Sequence, residues 1–203
     1  YYLIDSQRPG PTVMVVGGVH GDEPAGHYAA RQIADWTIRR GRLIVVPAAN
    51  RLGLLNHRRT VPGLGDLNRM FNGGQNRHTL PRALWNLAVR MQPDWVVDLH
   101  ESRDYYQRGN GAVGNSIIYY PRNSVTRSAV ARMKAAADTR IGLASRKISL
   151  LQYPVLGSFA RAAATRLGSQ GMIIETTVRD SLSTRIGHHT TMVRALLRYL
   201  DMV

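Results

Sequence analysis

The sequence predicts a single α/β domain over residues 1–203, with a mostly parallel (mixed) β-sheet and helices on both of its faces. Short apolar runs rich in β-branched residues alternate along the chain with longer segments of helical periodicity. These runs are apolar at nearly every position, which is typical of strands that helices cover on both sides. The chain is long enough to bury such a core, and neither a linker nor an internal repeat divides it.

The predicted strands and helices follow one another through the whole chain. We predict strands over 12–16, 43–46, 95–99, 116–120, 147–151 and 172–174, and helices over 24–39, 80–92, 124–139, 158–167 and 184–202. Residues 1–11 are typical of an edge segment and a turn. Residues 48–79 show no sustained periodicity and are rich in Asn, Gly and Arg. An irregular stretch of that length inside a compact domain is usually functional.

The residue types exclude several classes of protein. The chain has no cysteine, which excludes disulfides, thiol nucleophiles and metal sites built on cysteine. No apolar run approaches the roughly 20 residues that a membrane-spanning helix needs, so we expect no membrane span. The sequence shows no signal peptide, although a chain that begins at Tyr1 could already have lost one.

The net charge is the most unusual global feature. It is formally +14, and of the 27 lysines and arginines all but Lys134 and Lys147 are arginine. Such a charge can indicate a protein that binds nucleic acid or another anionic surface. Here the arginines are spread along the chain without a dense tract and with few aromatic residues between them, which favours an ordinary solvated surface. Attraction for acidic substrates fits the charge equally well.

The turn after the first predicted strand carries two metal-binding residue types. Residues 17–26 read GGVHGDEPAG and place His20 and Glu23 three residues apart on a glycine-rich turn. In an open α/β sheet, ligands bind beyond the carboxyl ends of the strands. A histidine nitrogen and a glutamate oxygen suit zinc, and a catalytic zinc takes three protein ligands and leaves one position open. We therefore interpret His20 and Glu23 as the first two ligands of a zinc site.

Two later strands end in residues that complete this set. His100 follows the strand predicted over 95–99, and Glu175 follows the last predicted strand. Because the carboxyl ends of parallel strands meet at one edge of a sheet, both can converge on His20 and Glu23. We predict that His100 is the third zinc ligand and that Glu175 takes a proton from the attacking water. A single histidine or glutamate at a strand end is more commonly a satisfied or solvated polar residue, so only the whole set indicates zinc.

Two neighbours of His100 leave alternatives open. Glu101 rivals Glu175 as the base, but adjacent residues of a strand point to opposite faces, so Glu101 faces away if His100 faces the zinc. Asp98 lies on the same strand face as His100, and it either orients that ligand or pairs with an arginine.

The irregular stretch adds the motif DLNR at 66–69, and with it the sequence resembles a known superfamily. GxHGDE, DLNRxF, a histidine at a strand end and a late Ile-Glu are together similar to the zinc carboxypeptidase superfamily over most of the chain. That superfamily includes metallocarboxypeptidases, murein peptide amidases, and the succinylglutamate desuccinylase and aspartoacylase deacylases. The resemblance implies a zinc carboxypeptidase-like fold and one Zn²⁺ per chain, with His20, Glu23 and His100 as its ligands and Glu175 as the general base.

The resemblance also implies roles for residues around the metal. Asp66 matches the carboxylate that orients the first zinc histidine. Asn68 and Arg69 match the pair that grips the free carboxylate of the substrate, which a planar guanidinium fits bidentately. Arg59 matches the arginine that stabilises the oxyanion in the peptidase-like members, and Arg58 is its close competitor for that role.

Two features of the resemblance point to different substrates. Tyr153 is similar to the tyrosine that closes over the substrate in the peptidases, and Phe159 would then line the specificity pocket. The alternative for Tyr153 is a tyrosine packed at a strand end. The short separation between Glu23 and His100, by contrast, is nearer to that of the deacylases than to that of the pancreatic-type peptidases.

The sequence therefore predicts a zinc-dependent hydrolase that resembles a metallocarboxypeptidase or peptide amidase and cleaves an amide bond next to a free carboxylate. The alternative enzyme is an N-acyl amino acid deacylase, and a basic module that binds nucleic acid or another anionic polymer is a third hypothesis. We expect a small peptide or an N-acyl amino acid as partner and do not favour nucleic acid, while the oligomeric state stays open. A murein peptide substrate would place the enzyme in the cytoplasm or periplasm of a bacterium.

Overall fold

The computed structural model describes residues 1–60, 63–72, 78–106 and 111–203. Within these ranges one sheet contains seven strands, β1 Tyr2–Asp5, β2 Thr12–Gly17, β3 Arg42–Val46, β4 Trp95–Ser102, β5 Ser116–Tyr119, β6 Ser149–Gln152 and β7 Gln170–Thr177. Their order across the sheet is β1-β3-β2-β4-β7-β5-β6. The β1–β3 and β5–β7 pairs are antiparallel, whereas β2–β3, β2–β4, β4–β7 and β5–β6 are parallel. The predicted mixed, mostly parallel sheet is confirmed.

Helices cover both faces of this sheet. The described ranges contain six α-helices, α1 Pro24–Ala34, α2 Arg51–Leu55, α3 Thr79–Met91, α4 Ser124–Asp138, α5 Phe159–Ala162 and α6 Leu182–Tyr199. One apolar core lies between the sheet and α1, α4 and α6, and a second lies between the opposite face and α3 and α5. None of the helices described is long and apolar enough to cross a membrane.

The alternation of side chains along the central strands feeds both cores. In β2, Val13 and Val15 are completely buried in the first core, whereas Met14 and Val16 are completely buried in the second. Residues two apart in a strand point to the same face, so a strand that is apolar throughout supplies both sides of the sheet. This is the physical reason why the continuous apolar runs predict a three-layer α/β fold.

Several element bounds differ from the sequence prediction. β4 continues to Ser102 and β7 to Thr177, beyond the apolar residues that the prediction relied on, because polar residues of the two strands keep pairing with each other. The helix predicted over 158–167 is the four-residue α5, followed by a π-helical turn that ends at Gly168 with φ of 78°. The irregular stretch predicted over 48–79 contains α2 and a 3₁₀ turn at Leu67–Arg69, and its residues 61–62 and 73–77 lie outside the described ranges.

Candidate metal centre

The turn after β2 holds the first two candidate ligands. It leaves the sheet at the carboxyl end of β2 and leads into α1, so His20 and Glu23 lie at the edge where the central parallel strands end. Gly21 lies against the segment that contains α2, and its N–H donates to the carbonyl oxygen of Arg58 at 3.0 Å. A Cβ atom at position 21 would lie 1.9 Å from the carbonyl carbon of Gly53, so only glycine allows this contact.

Three buried side chains converge at this edge. Glu23 Oε1 lies 2.7 Å from Nδ1 of His20, and Glu23 Oε2 lies 2.9 Å from Nδ1 of His100. The two Nδ1 atoms are 3.1 Å apart, and the ligand atoms of all three residues lie within 4.8 Å of one another. Two imidazole nitrogens and one carboxylate form the donor set of a hydrolytic zinc site with an open position, so this group could hold a metal ion.

The Nε2 atoms of His20 and His100 each lie next to a carboxylate. His20 Nε2 is 2.9 Å from Asp66 Oδ1, and His100 Nε2 is 3.0 Å from Asp98 Oδ2. Such contacts fix the tautomer and the ring orientation, which leaves both Nδ1 atoms directed inward. Asp98 is completely buried, whereas the side chain of Asp66 is 23% exposed. Of the two alternatives that the sequence leaves open for Asp98, the geometry supports orientation of His100.

The pKa values of these groups reflect the close packing. Burial would raise the pKa of Glu23, but the charges and hydrogen bonds of His100 and His20 hold it well below its usual range. Burial would likewise raise the pKa of Asp66, but the hydrogen bond and charge of His20 and the charge of Arg59 outweigh that effect. The pKa of Asp66 is therefore held well below its usual range. Burial would lower the pKa of His100, yet the neighbouring carboxylates of Asp98 and Glu23 raise it well above its usual range.

Glu175 lies on the strand next to His100. The two residues are register partners in the parallel pair β4–β7, so their side chains point to the same face of the sheet. Burial raises the pKa of Glu175 to about 8, and the nearby charges of Glu23 and Asp98 act in the same direction. A carboxylate with a raised pKa holds an abstracted proton better than an ordinary one. Its place beside the candidate ligands suits a general base.

Glu101, the rival base, points away from this group. Its Oε1 accepts a hydrogen bond from the N–H of Ala25 at 2.6 Å, and its Oε2 is paired with Arg185 of α6. Both carboxylate oxygens therefore already have protein partners on the side of the sheet that α1 and α6 cover. This placement agrees with the alternation of side chains along β4, which puts Glu101 on the face opposite to His100.

A cavity of about 580 Å³ opens over the three candidate ligands and Glu175. Arg59 lines it, and its Nη1 donates to Glu23 Oε1 at 2.8 Å while its Nη2 donates to Asp66 Oδ2 at 3.2 Å. The neighbouring Arg58 contributes its carbonyl oxygen to the glycine turn, and its side chain is exposed. Of the two competing arginines, Arg59 is the one that the structure places at the candidate metal centre.

Asn68 and Arg69 follow Asp66 in the 3₁₀ turn and also line the cavity. The side chain of Asn68 is buried; its Oδ1 accepts a hydrogen bond from the N–H of Phe159 at 3.1 Å, and its Nδ2 lies 3.3 Å from His100 Nε2. Arg69 uses Nη1 to donate to the carbonyl oxygen of Asn68 at 2.9 Å. Because a guanidinium has five N–H groups, Arg69 is the better placed of the two to bind a substrate carboxylate.

The structure does not bring Tyr153 to the other predicted residues. Its backbone has φ of 61°, its side chain is exposed, and its ring makes an edge contact with Tyr120. Val155, two residues further along the same loop, is among the described residues that line the cavity, and Tyr153 is not. Phe159 is completely buried in the second core against Phe71, so the expectation that Phe159 lines a specificity pocket is wrong.

Sequence reasoning missed other residues that line the cavity. Arg103 follows directly after β4, and its position just beyond a strand that carries a candidate ligand could have indicated it. Ile118 and Ile173 are register partners in the antiparallel β5–β7 pair, and both line the cavity on the face of Glu175. The cavity thus combines an arginine-rich rim with an aliphatic floor beside the candidate base.

The fold and this group of side chains define the class. A mixed α/β sheet whose strand ends bring two histidines and two glutamates together is the arrangement of the zinc carboxypeptidase-like superfamily. The chain belongs to the succinylglutamate desuccinylase/aspartoacylase catalytic domain family, whose model matches residues 9–200.

One protein is similar to this chain in sequence, and the two solved structures described next are similar to it in fold. It is similar to the N-alpha-acetyl-L-2,4-diaminobutyric acid deacetylase of Halomonas elongata, with 36% identity over 99 residues, or 45% of this chain and 28% of that protein. The mDAP-bound Helicobacter pylori Csd4, a D,L-carboxypeptidase, has a TM-score of 0.79 and 17% identity over 96% of this chain and 52% of that one. A succinylglutamate desuccinylase/aspartoacylase from Rhodobacter sphaeroides has a TM-score of 0.72 and 22% identity over 97% and 57%.

The similarities to these proteins support conclusions of different breadth, because they differ in identity and coverage. At identities below 25%, the two solved structures establish the fold alone. The chain spans less than two thirds of the length of each of the three relatives. The family model alone places the chain among the succinylglutamate desuccinylase/aspartoacylase catalytic domains.

Proposed function

We propose that the protein is a zinc-dependent hydrolase that cleaves an amide bond next to a free carboxylate. One Zn²⁺ per chain would be held by Nδ1 of His20, Nδ1 of His100 and the carboxylate of Glu23. The observation that carries the proposal is the convergence of these buried donor atoms beside Glu175 on the adjacent strand. The donor set fits zinc because it combines two imidazole nitrogens with one carboxylate.

The residues of the chain would divide the reaction among them. A bound zinc ion would supply Lewis acidity, which lowers the pKa of a water molecule and polarises the scissile carbonyl. Glu175 would accept a proton from the attacking water and pass it to the leaving nitrogen. Arg59 would stabilise the negative charge that develops on the carbonyl oxygen. Asp66 and Asp98 would keep the two ligand imidazoles in the required tautomer.

The rim of the cavity would select the substrate. Arg69 lines the cavity and keeps N–H groups beyond the one that donates to Asn68, so it would bind the free carboxylate of the substrate as a bidentate partner. The buried Asn68 would hold the turn in place through the hydrogen bond that its Oδ1 accepts from the N–H of Phe159. Asn68 would therefore act on the substrate mainly by fixing the position of Arg69.

For the substrate class we infer an N-acyl amino acid. The family model and the deacetylase relative support this choice. The tyrosine that favoured a peptidase in the sequence lies outside the cavity lining described above. A peptide with a free C-terminal carboxylate is the second candidate, favoured by the fold shared with the D,L-carboxypeptidase Csd4.

A substrate panel on the zinc-loaded protein tests both parts of the proposal. N-acetyl and N-succinyl amino acids, simple dipeptides and murein peptides are compared by release of the free amine. We expect release from the acyl amino acids, its loss on chelation, and its return when zinc is added back. Release from peptides alone would replace the deacylase by the peptidase. A protein that binds one zinc per chain and hydrolyses none of these compounds would overturn the proposed reaction.

A further inference from the structure

The carboxylate of Glu101 is a buried charged group that takes no part in the proposed reaction. Its side chain is completely buried on the face of β4 that α1 and α6 cover. In the chain, Glu101 directly follows the candidate ligand His100. A buried carboxylate needs partners for both of its oxygens. Here Oε1 accepts the N–H of Ala25 at 2.6 Å and Oε2 is paired with Nη1 of Arg185, whose side chain is only 13% exposed.

The bond to Ala25 replaces a missing helix cap. The first N–H groups of a helix have no partner within the helix, and the side chain of the capping residue usually accepts one of them. At the start of α1 the capping residue is Glu23, which makes no such bond, and the next residue is Pro24, which has no N–H. Glu101 supplies the oxygen instead, so the carboxylate of Glu23 is left for the candidate metal centre. A negative charge at this position also suits the helix dipole.

The backbone of Glu101 holds Glu23 from a second side. The N–H of Glu101 donates to Glu23 Oε2 at 3.0 Å, while its side chain binds the segment two residues further on. Residue 101 therefore contacts the Glu23–Ala25 segment through two separate bonds and is covalently next to His100. Arg185, which reaches Glu101 from α6, ties this arrangement to the helix that covers the sheet.

We propose that Glu101, held by Arg185, is a positioning residue that sets the separation between the candidate ligands Glu23 and His100 and thereby the affinity for zinc. The inference rests on the proposed metal centre. Glu101 contributes to the cavity lining, but its carboxylate is completely buried and bonded to Ala25 and Arg185, so neither charged group would touch the substrate. Partners of this kind typically change metal affinity by about 10- to 100-fold when they are removed.

The test is the zinc dissociation constant, measured by competition with a chromogenic chelator, together with thermal unfolding of the metal-free protein. Glu101→Ala is expected to raise the constant by about tenfold or more. Glu101→Gln keeps an oxygen for the N–H of Ala25, whereas Glu101→Asp keeps the charge but withdraws that oxygen. Positioning predicts tighter zinc binding by the Gln variant than by the Asp variant, and the reverse order would overturn it.

Asp138 offers a matched control. Its Oδ1 accepts the N–H of Ile148 at 2.8 Å and its Oδ2 is paired with Lys134, so it holds a backbone amide and a cation in the same way, away from the cavity lining. Asp138→Ala is expected to lower the unfolding temperature and to leave the zinc dissociation constant within about twofold of wild type. If Glu101→Ala does not fold, the comparison of the Gln and Asp variants decides.

The outcomes separate this inference from the proposed function. A wild-type protein that binds no zinc would overturn both. If the wild-type protein binds zinc and hydrolyses its substrate, but Glu101→Ala and Glu101→Asp bind zinc as tightly, only the positioning role fails.

Discussion

The two faces of β4 at its carboxyl end carry buried ionisable side chains in contrasting surroundings. On one face, His100 lines the cavity together with Glu23 and Arg59, and the buried Asp98 lies behind its imidazole. On the other face, Glu101 is enclosed and its oxygens are already bonded. One alternating strand thus separates groups that are available for chemistry from a group that holds the structure.

The same contrast recurs on β7, one strand further along. Glu175 faces the cavity, and burial raises its pKa to about 8. Its neighbour Thr176 faces α6, where its Oγ1 lies 3.1 Å from Nε2 of the fully buried His189. Burial lowers the pKa of His189 to about 3, which keeps that imidazole neutral. Burial therefore raises the pKa of a carboxyl group on the cavity side and lowers that of an imidazole on the side that α6 covers.

The largest expected effect is the loss of the base. Glu175→Gln is expected to lower kcat/KM by about 100- to 10,000-fold, because general acid–base catalysis typically contributes that much. The zinc content should stay at wild-type level. Thr176→Val, on the opposite face of the same strand, serves as the control and should keep the activity. Wild-type turnover in Glu175→Gln would exclude Glu175 as the base.

The next effect separates two adjacent arginines. Arg59→Met is expected to lower kcat by about 100- to 1,000-fold, the usual result of removing one group that stabilises an oxyanion. KM should change little, because the interaction would form mainly in the transition state. Arg58→Met, whose side chain is exposed, should leave kcat unchanged. Steady-state kinetics on the two variants decides between them, and a defect confined to Arg58→Met would reverse the assignment.

A smaller effect is expected at the carboxylate behind His100. Asp98→Asn should raise the zinc dissociation constant by about 10- to 100-fold, since Asp98 orients the imidazole that would bind the metal. Asp94→Asn is the control, because Asp94 lies just before the same strand and its Oδ2 accepts the N–H of Thr12 at 2.7 Å, away from the candidate ligands. Chelator competition measures both constants. Equal constants for the two variants would contradict a role of Asp98 in orienting His100.

The smallest effect concerns the pH dependence of stability. His189 has a lowered pKa in the folded protein, so the unfolded chain takes up the proton first as the pH falls below about 6.5. Stability is therefore full above that pH and decreases toward the folded pKa of about 3. Between pH 6.5 and 5.5, His189 should account for a loss of about 1 kcal/mol in the unfolding free energy.

Denaturant unfolding at several pH values measures this loss. His189→Gln should reduce the slope of stability against pH over that interval. Met192→Leu, a change of similar volume in the same helix, should shift the unfolding free energy equally at every pH. His188 contributes in the same direction, since burial also lowers its pKa. An unchanged slope in His189→Gln would show that the imidazole is not kept neutral by burial.

Much of the fold follows from the sequence because the central strands are apolar on both faces. Their ends were less predictable, since His100 to Ser102 continue the ladder with polar side chains that no apolar pattern reveals. The candidate ligands could be found because strand ends and a glycine turn bring them to one edge of the sheet. That residues 1–203 form one catalytic domain stays a prediction.

The parts of the site that the sequence did not reveal depend on contacts between distant segments. Glu101 and Arg185 lie on different elements, and no local pattern connects them. The sequence predicts Tyr153 over the substrate, but its exposed ring lies against Tyr120. It predicts Phe159 in a pocket, but Phe159 fills the core because α5 packs directly on the sheet.

The contact between Gly21 and the segment around α2 limits how the candidate site could be altered. The N–H one residue after His20 is bonded to the carbonyl one residue before Arg59, and the two backbones touch where no side chain fits. The backbone next to a candidate ligand is thus held against the backbone next to the proposed oxyanion donor. Insertions or deletions in 51–59 would disturb both, so changes in substrate preference should come from side-chain exchanges at Arg69, Arg103, Ile118 or Ile173.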